Sequence, residues 1–275
     1  MSGGQTLAMA MRDVAEWLRH APGVRALNPL WRRLQKPYLA VLRRATGDRG
    51  VPVRIGGESL RLDIAYASVS WEHMEAPSLA AFRAAATPGS VVVDVGAHIG
   101  SYALLAARCV GPAGHVLAFE PIAGTRAMLE KHLVWNGVRD LVTVRDAACS
   151  DAVGELTLHI TDDVADAEAG PRARDGSRAV LVPRTTLDRE TARLGRPVSL
   201  VKIDVEGQEL AVLRGAAELV ARDRPTLLIS VHPLLLRAQG LAPADVLAWL
   251  GAAGYAHRII AEDHEVHVLA TPAAR

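Results

Sequence analysis

From about residue 78 onward, short and nearly continuous apolar runs alternate with helix-like stretches, and this alternation restricts the fold more than any other feature. Residues 91–95, 115–120, 142–146, 200–204 and 226–232 read as strands, and 101–109, 124–136 and 209–221 as the helices between them. A helix over 78–86 precedes the first strand and one over 243–253 follows the last. Strands that lack a polar alternation have no solvent face, so they predict a mostly parallel sheet covered by helices on both sides. Two closing strands, near 256–260 and 266–269, are separated only by residues 261–265. That gap is too short for a helical crossover, so this pair is expected to be antiparallel.

The rest of the chain departs from that rhythm. Residues 1–45 predict one or two short helices, broken near Pro22-Gly23 and Asn28-Pro29, and 51–64 a β-hairpin about Gly56-Gly57. The chain thus divides into an N-terminal helical and hairpin extension, 1–75, and an α/β domain, 76–275. The extension is read as a cap over an active site or as an oligomer contact, which would make the protein a homo-oligomer. Residues 155–160 form an alternating strand, and 161–179 (TDDVADAEAGPRARDGSRA) a polar surface loop, either a substrate lid or a variable insertion.

Charge and cysteine content exclude several classes. The net charge is +1, so no strong field recruits nucleic acid. Residues 1–50 are basic, with nine Arg or Lys against three Asp or Glu. They also carry Trp17, Leu18, Leu27, Trp31 and Leu34, which suit a packed helix face. Cys109 and Cys149 form no C-x-x-C pair and sit among apolar neighbours, as buried free thiols do. No stretch approaches the roughly 20 apolar residues of a membrane span, and no leader-like pattern opens the chain. The expectation is a cytoplasmic protein.

The chemistry concentrates at strand ends. In the turn Asp94-Val95-Gly96-Ala97-His98-Ile99-Gly100-Ser101, Gly96 permits a sharp bend and Gly100 lets a helix begin close to a ligand. Its N–H groups suit a carboxylate, and Asp94 an ammonium group. Glu120, 20 residues after Gly100, closes the second strand, where an acid accepts hydrogen bonds from both ribose hydroxyls. Asp146-Ala147 closes the third, where a carboxylate meets an adenine amino group. A nicotinamide dinucleotide fits less well. Its G-x-G-x-x-G fingerprint is interrupted by His98, and Asp94 would repel a diphosphate.

The fourth strand ends in Lys202-Ile203-Asp204-Val205-Glu206-Gly207. Carboxylates at i and i+2 face one crevice, where they could bind a metal, orient a hydroxyl or act as a general base. Alternatively, Glu206 caps the next helix and pairs with Lys202. The D/N-P-P-Y/F pattern of enzymes that methylate amino groups of nucleic-acid bases is absent here. His232 ends the fifth strand as a candidate base or metal ligand, or as a satisfied structural histidine, whereas His264 and His267 are read as surface residues.

With these residues in their order, the chain resembles the FkbM-type methyltransferases from about Glu75 to His232. The resemblance is carried by VVVDVGAHIGSYALLAAR, AFEP, DAACSD with GELTLHI, VPRTTLD, VKIDVEGQELAVLRGA and ISVH. It implies a Rossmann-like class I methyltransferase fold, S-adenosylmethionine as methyl donor, and a hydroxyl acceptor on a small-molecule natural product or sugar. Asp94, Gly96, Ala97, His98, Gly100, Ser101, Glu120, Asp146, Ala147 and Asp204 would hold the cofactor. Asp204, Glu206 and His232 would be catalytic, and would also ligate any divalent cation such as Mg. The family often has an acid two residues before the histidine, where this chain has Ser230. The rivals are an N-methyltransferase, a nicotinamide-dependent oxidoreductase and a non-catalytic module.

Overall fold

A computed structural model describes residues 28–66, 69–71, 75–160, 169–170 and 177–273, with the side chains of 28–36 and 169–170 left out. The expected break near Pro22-Gly23, and most of the 161–179 loop, lie outside the described residues. In chain order the N-terminal part contains α1 (Asn28–Ala45), β1 (Val51–Ile55), β2 (Glu58–Leu62) and α2 (Ala76–Ala85). Next come β3 (Val91–Val95), α3 (Ser101–Val110), β4 (His115–Phe119), α4 (Ala123–Trp135) and β5 (Val142–Arg145). An insertion follows: β6 (Ala148–Cys149), β7 (Gly154–Ile160), β8 (Ala169–Gly170) and β9 (Arg178–Thr185). The chain closes with α5 (Leu187–Thr191), β10 (Val198–Asp204), α6 (Glu209–Arg214), α7 (Ala217–Asp223), β11 (Thr226–Val231), α8 (Pro233–Arg237), α9 (Pro243–Ala252), β12 (Tyr255–Glu262) and β13 (Val266–Pro272).

The main sheet has the order β12-β13-β11-β10-β3-β4-β5, and β13 alone runs against its neighbours. Side chains alternate across it. Val92, Val116, Leu200 and Leu228 pack under α2, α3 and α4, whereas Val91, Val93, Leu117, Val201 and Ile229 pack under α6, α7 and α9. Burial on both faces is why these strands are continuous apolar runs. Truncating one of their fully buried leucines to alanine costs ~2–5 kcal/mol. The order reverses beside β3, which opens a crevice at the carboxyl ends of the strands.

The N-terminal hairpin joins this core rather than standing apart, because Ile55, Leu60 and Leu62 pack with α3 and α4. His132 ties it to the β3–α3 turn. Its Nε2 accepts from Asp63 N–H at 2.8 Å, and its Nδ1 lies 2.8 Å from Ile99 O. Burial lowers its pKa to about 4, so the ring is neutral with the proton on Nδ1.

Two expectations need correction. The helix expected over 209–221 is two helices. Asp188 takes both halves of one helical bond, its N–H donating to Gly215 O and its Oδ1 accepting Leu219 N–H, and a Cβ at Gly215 would lie 2.0 Å from Ser150 O, so the packing of this segment interrupts the helix there. The region after 160 also holds β9, which pairs antiparallel with β7 along its length and builds a second, four-stranded sheet. Pro183 inside β9 weakens its strand signal. Among the described residues, no helix is long and apolar enough to cross a membrane.

Candidate active site

A cavity of ≈ 300 Å³ occupies the crevice, at the small end of ligand pockets. One wall is the β3–α3 turn with Glu120. Phe119, Ile122, Ala148, Leu156 and Leu158 form an apolar side, and Trp71, Glu75 and Tyr102 close it from the N-terminal segment and α3. Gly96, Ala97, His98, Ser101, Glu120, Ala147, Asp204 and Glu206 all reach this wall. Asp94, Gly100, Asp146 and His232 are not among its lining residues.

The turn is shaped by two close approaches. Gly96 adopts φ +77, and a Cβ there would stand 1.8 Å from Asp204 O, so only glycine lets the ends of β3 and β10 meet. Gly100 adopts φ +93, and its Cβ would strike Leu129 Cδ1 at 2.3 Å. That glycine therefore admits α4, not a ligand as expected. His98 and Glu206 both hold left-handed backbone at φ 51, the kind of strain that clusters at functional sites.

The turn's amides are less open than the sequence suggested. Gly96 and Ala97 N–H both donate to Phe119 O, and Gly100 N–H donates to Ala97 O. An anionic group is left the first amides of α3, which have no i−4 partner within the helix. His98 N–H donates to Glu120 Oε2 at 2.9 Å and Ile122 N–H to Oε1 at 2.8 Å. Each carboxylate oxygen keeps a further lone pair for a ligand hydroxyl. Burial pushes the Glu120 pKa up to about 7, and the two amides oppose that rise.

Asp94 is fully buried, and neither of its oxygens has a hydrogen-bond partner. Burial raises its pKa to about 6, opposed by Lys202 at 3.9 Å. Asp146 is exposed, because β5 ends at Arg145 and the chain turns so that Ala147, Ala148 and Cys149 face the cavity. The Glu120 cradle and the apolar side suit a ligand with a diol and a flat base, and Asp94, buried behind the wall, lends negative charge for a cation. That is the chemistry of S-adenosylmethionine.

The opposite side is made of charged side chains. Lys202 is buried, donates to Asp204 Oδ2 at 3.0 Å and sits 4.7 Å from the Tyr102 ring centroid. It pairs with Asp204 and Asp94, not with Glu206, and Gln208 rather than Glu206 precedes α6 as its cap. Burial opposes ionisation of Asp204, but Lys202 and then His232 hold its pKa below the usual carboxylate range. Tyr102 Oη donates to Glu75 at 2.6 Å.

His232 lies behind this wall. Its Nδ1 is 2.7 Å from Glu209 Oε1, and its Nε2 is 3.4 Å from Glu265, 3.7 Å from Asp204 and 3.8 Å from Glu206. Burial works against charge on the ring, but the carboxylates, Glu209 foremost, outweigh it and raise the pKa to about 11. His232 thus sits where a positive charge is favoured and behind the cavity wall, whereas Asp204 stands on that wall and is the better placed candidate base. Ser230 stands where the resemblance expects an acid, and of the four acids around His232 one, Glu265, comes from the β12–β13 turn.

His267 is also not a surface residue. β13 is an interior strand, and His267 is buried with Nδ1 3.1 Å from Ser78 Oγ; His264 is exposed as expected. Glu75, Tyr102, Glu209 and Glu265 went unread in the sequence. The EDHEVH turn carried a signal for Glu265, an acid between two histidines.

The sheet order, parallel but for β13, is the architecture of class I S-adenosylmethionine-dependent methyltransferases. The methyltransferase FkbM domain model matches residues 94–256, and the chain belongs to that family. Solved structures similar to it include the methyltransferase FkbM from Methylobacillus flagellatus KT, 19% identical over 67% of this chain and 44% of that one, TM-score 0.45. The chain thus spans less than half of that relative. Also similar are an S-adenosylmethionine-dependent O-methyltransferase from Thermotoga maritima (14% identity, 82% and 78% covered, TM-score 0.44) and Aeropyrum pernix fibrillarin with bound S-adenosylmethionine (15%, 81% and 82%, 0.46). The comparison with curated proteins gave no match.

Proposed function

We propose that this protein methylates a hydroxyl of a small molecule, such as a natural product or sugar, with S-adenosylmethionine as donor. The observation that carries this reading is Asp204. It lies on the cavity wall at the strand-end edge shared with Glu120, and Lys202 holds one of its oxygens and keeps it ionised. The bound cofactor supplies a methyl group made electrophilic by its sulfonium.

Glu120 would bind the ribose hydroxyls, Asp94 would compensate the ammonium group through the end of β3, and Leu156 and Leu158 would pack on the base. Asp204 Oδ1 would accept the proton of the acceptor hydroxyl, and positioning by Glu206, Glu75 and Trp71 would do the rest. The N-terminal extension then acts as a cap, since Trp71 and Glu75 close the cavity from its end.

A panel of hydroxylated and aminated small molecules, incubated with the purified chain and S-adenosylmethionine, tests this. A methyl placed on oxygen by NMR, and lost in Asp204→Ala with S-adenosylhomocysteine binding retained, is the expected result. Methylation on nitrogen, or unchanged turnover in Asp204→Ala, would overturn it.

A further inference from the structure

We propose that His232, Asp204 and Glu265 form a divalent-cation site at the acceptor end of the crevice, with Glu206 beside it and Glu209 orienting the histidine. The proposal rests on the methyl-transfer reading and refines it: Asp204 Oδ1, the oxygen not held by Lys202, would ligate the ion through one lone pair and keep another for the acceptor hydroxyl.

The histidine comes first. His232 is 7% exposed, and its Nδ1 is fixed by Glu209, which is itself fully buried and also accepts Gly207 N–H at 2.8 Å. Turning the ring away would strand a buried carboxylate, so Nε2 is held toward the cavity side. A histidine whose far nitrogen is anchored by a carboxylate is the arrangement that orients metal-bound imidazoles.

The spacing around Nε2 is the second observation. Glu265, Asp204 and Glu206 present oxygens at 3.4, 3.7 and 3.8 Å. These exceed the roughly 2.7–2.9 Å of charge-assisted hydrogen bonds. The ligand atoms of Asp204, His232 and Glu265 nevertheless all lie within 4.8 Å of one another. Ligands about 2.1–2.4 Å from one shared ion are spaced in this way.

Charge is the third. Asp204, Glu206, Glu209 and Glu265 converge here, while the nearby Lys202 is divided between Asp204 and Asp94. His264 and His267 also reach Glu265, at 3.1 and 4.0 Å, whereas a dication at Nε2 is the charge that all three carboxylates around that nitrogen share. Oxygen-rich ligands with one imidazole and no thiolate suit Mn²⁺ or Mg²⁺. Asp204, Glu206 and Glu265 lie on the cavity wall and His232 behind it, so the open coordination positions face the acceptor.

Electron paramagnetic resonance of the metal-stripped full chain titrated with Mn²⁺ tests the site without turnover. The expected result is one ion per chain with ¹⁴N coupling from a single imidazole. Affinity should fall at least about tenfold in Glu265→Gln and about 10–100-fold in Glu209→Gln, and stay unchanged in Glu130→Gln, whose carboxylate pairs with Arg139 on the surface away from the site. The wild-type ¹⁴N coupling keeps the test decisive if a variant misfolds. No stoichiometric Mn²⁺ binding, no ¹⁴N coupling, or full affinity in Glu265→Gln would overturn the site and leave a proton on Nε2 instead. Cofactor binding is measured separately, so Mn²⁺ bound without methyl transfer would sink only the activity, and methyl transfer without Mn²⁺ binding only the site.

Discussion

The two sides of the crevice are built from different material. The cofactor side is mostly backbone: a turn bent by Gly96 and Gly100, and one carboxylate, Glu120, cradled by two amides. The opposite side, which we assign to the acceptor, is a set of buried and half-buried ionisable side chains from four separated segments, meeting around His232 and Lys202. Backbone cradles leave a local sequence signature, whereas a charge cluster assembled through tertiary structure does not. The first side is suited to a constant ligand and the second to proton transfer and positioning.

The comparison breaks first at Asp204. Asp204→Asn should lower kcat by about 10²–10⁴-fold, with S-adenosylhomocysteine affinity within about twofold of wild type by calorimetry. Parallel loss of both would mean that the sides are not separable. The seam between them is Gly96, whose Cβ would meet Asp204 O at 1.8 Å. Gly96→Ala should destabilise the fold by about 3 kcal/mol in urea unfolding, and unaltered stability would show that the β3 and β10 ends are not in contact.

On the cofactor side alone, Glu120→Ala should weaken S-adenosylhomocysteine binding by about 10–100-fold, the value of hydrogen bonds to a charged group. Acceptor KM at saturating cofactor should hold. The smallest effect comes from pH. The Glu120 pKa is raised to about 7, and hydroxyls bind its ionised form. Affinity is therefore near its full value at pH 8, half of it at about pH 7, and should fall about tenfold between pH 8 and pH 6. A flat profile over that window would remove Glu120 from ligand contact.

What was legible follows the same division. The strand Val91–Val95 and the antiparallel closing hairpin were read directly, because burial on both faces and a short connection are local properties. That Glu120 reaches the crevice was legible from its place at a strand end. Glu209 was not, because an acid in the first turn of a helix is usually solvated, and only the fold brings it against His232. Asp146 misled for the converse reason: it follows a strand, yet the chain turns before its side chain can face the cavity. The helix break at Gly215 also required knowing that Ser150 approaches.

Calorimetric titration of the wild-type chain with S-adenosylhomocysteine, and in parallel with NADH, tests the central claim most directly. One S-adenosylhomocysteine per chain and no NADH is the predicted result. NADH binding without S-adenosylhomocysteine binding would contradict it.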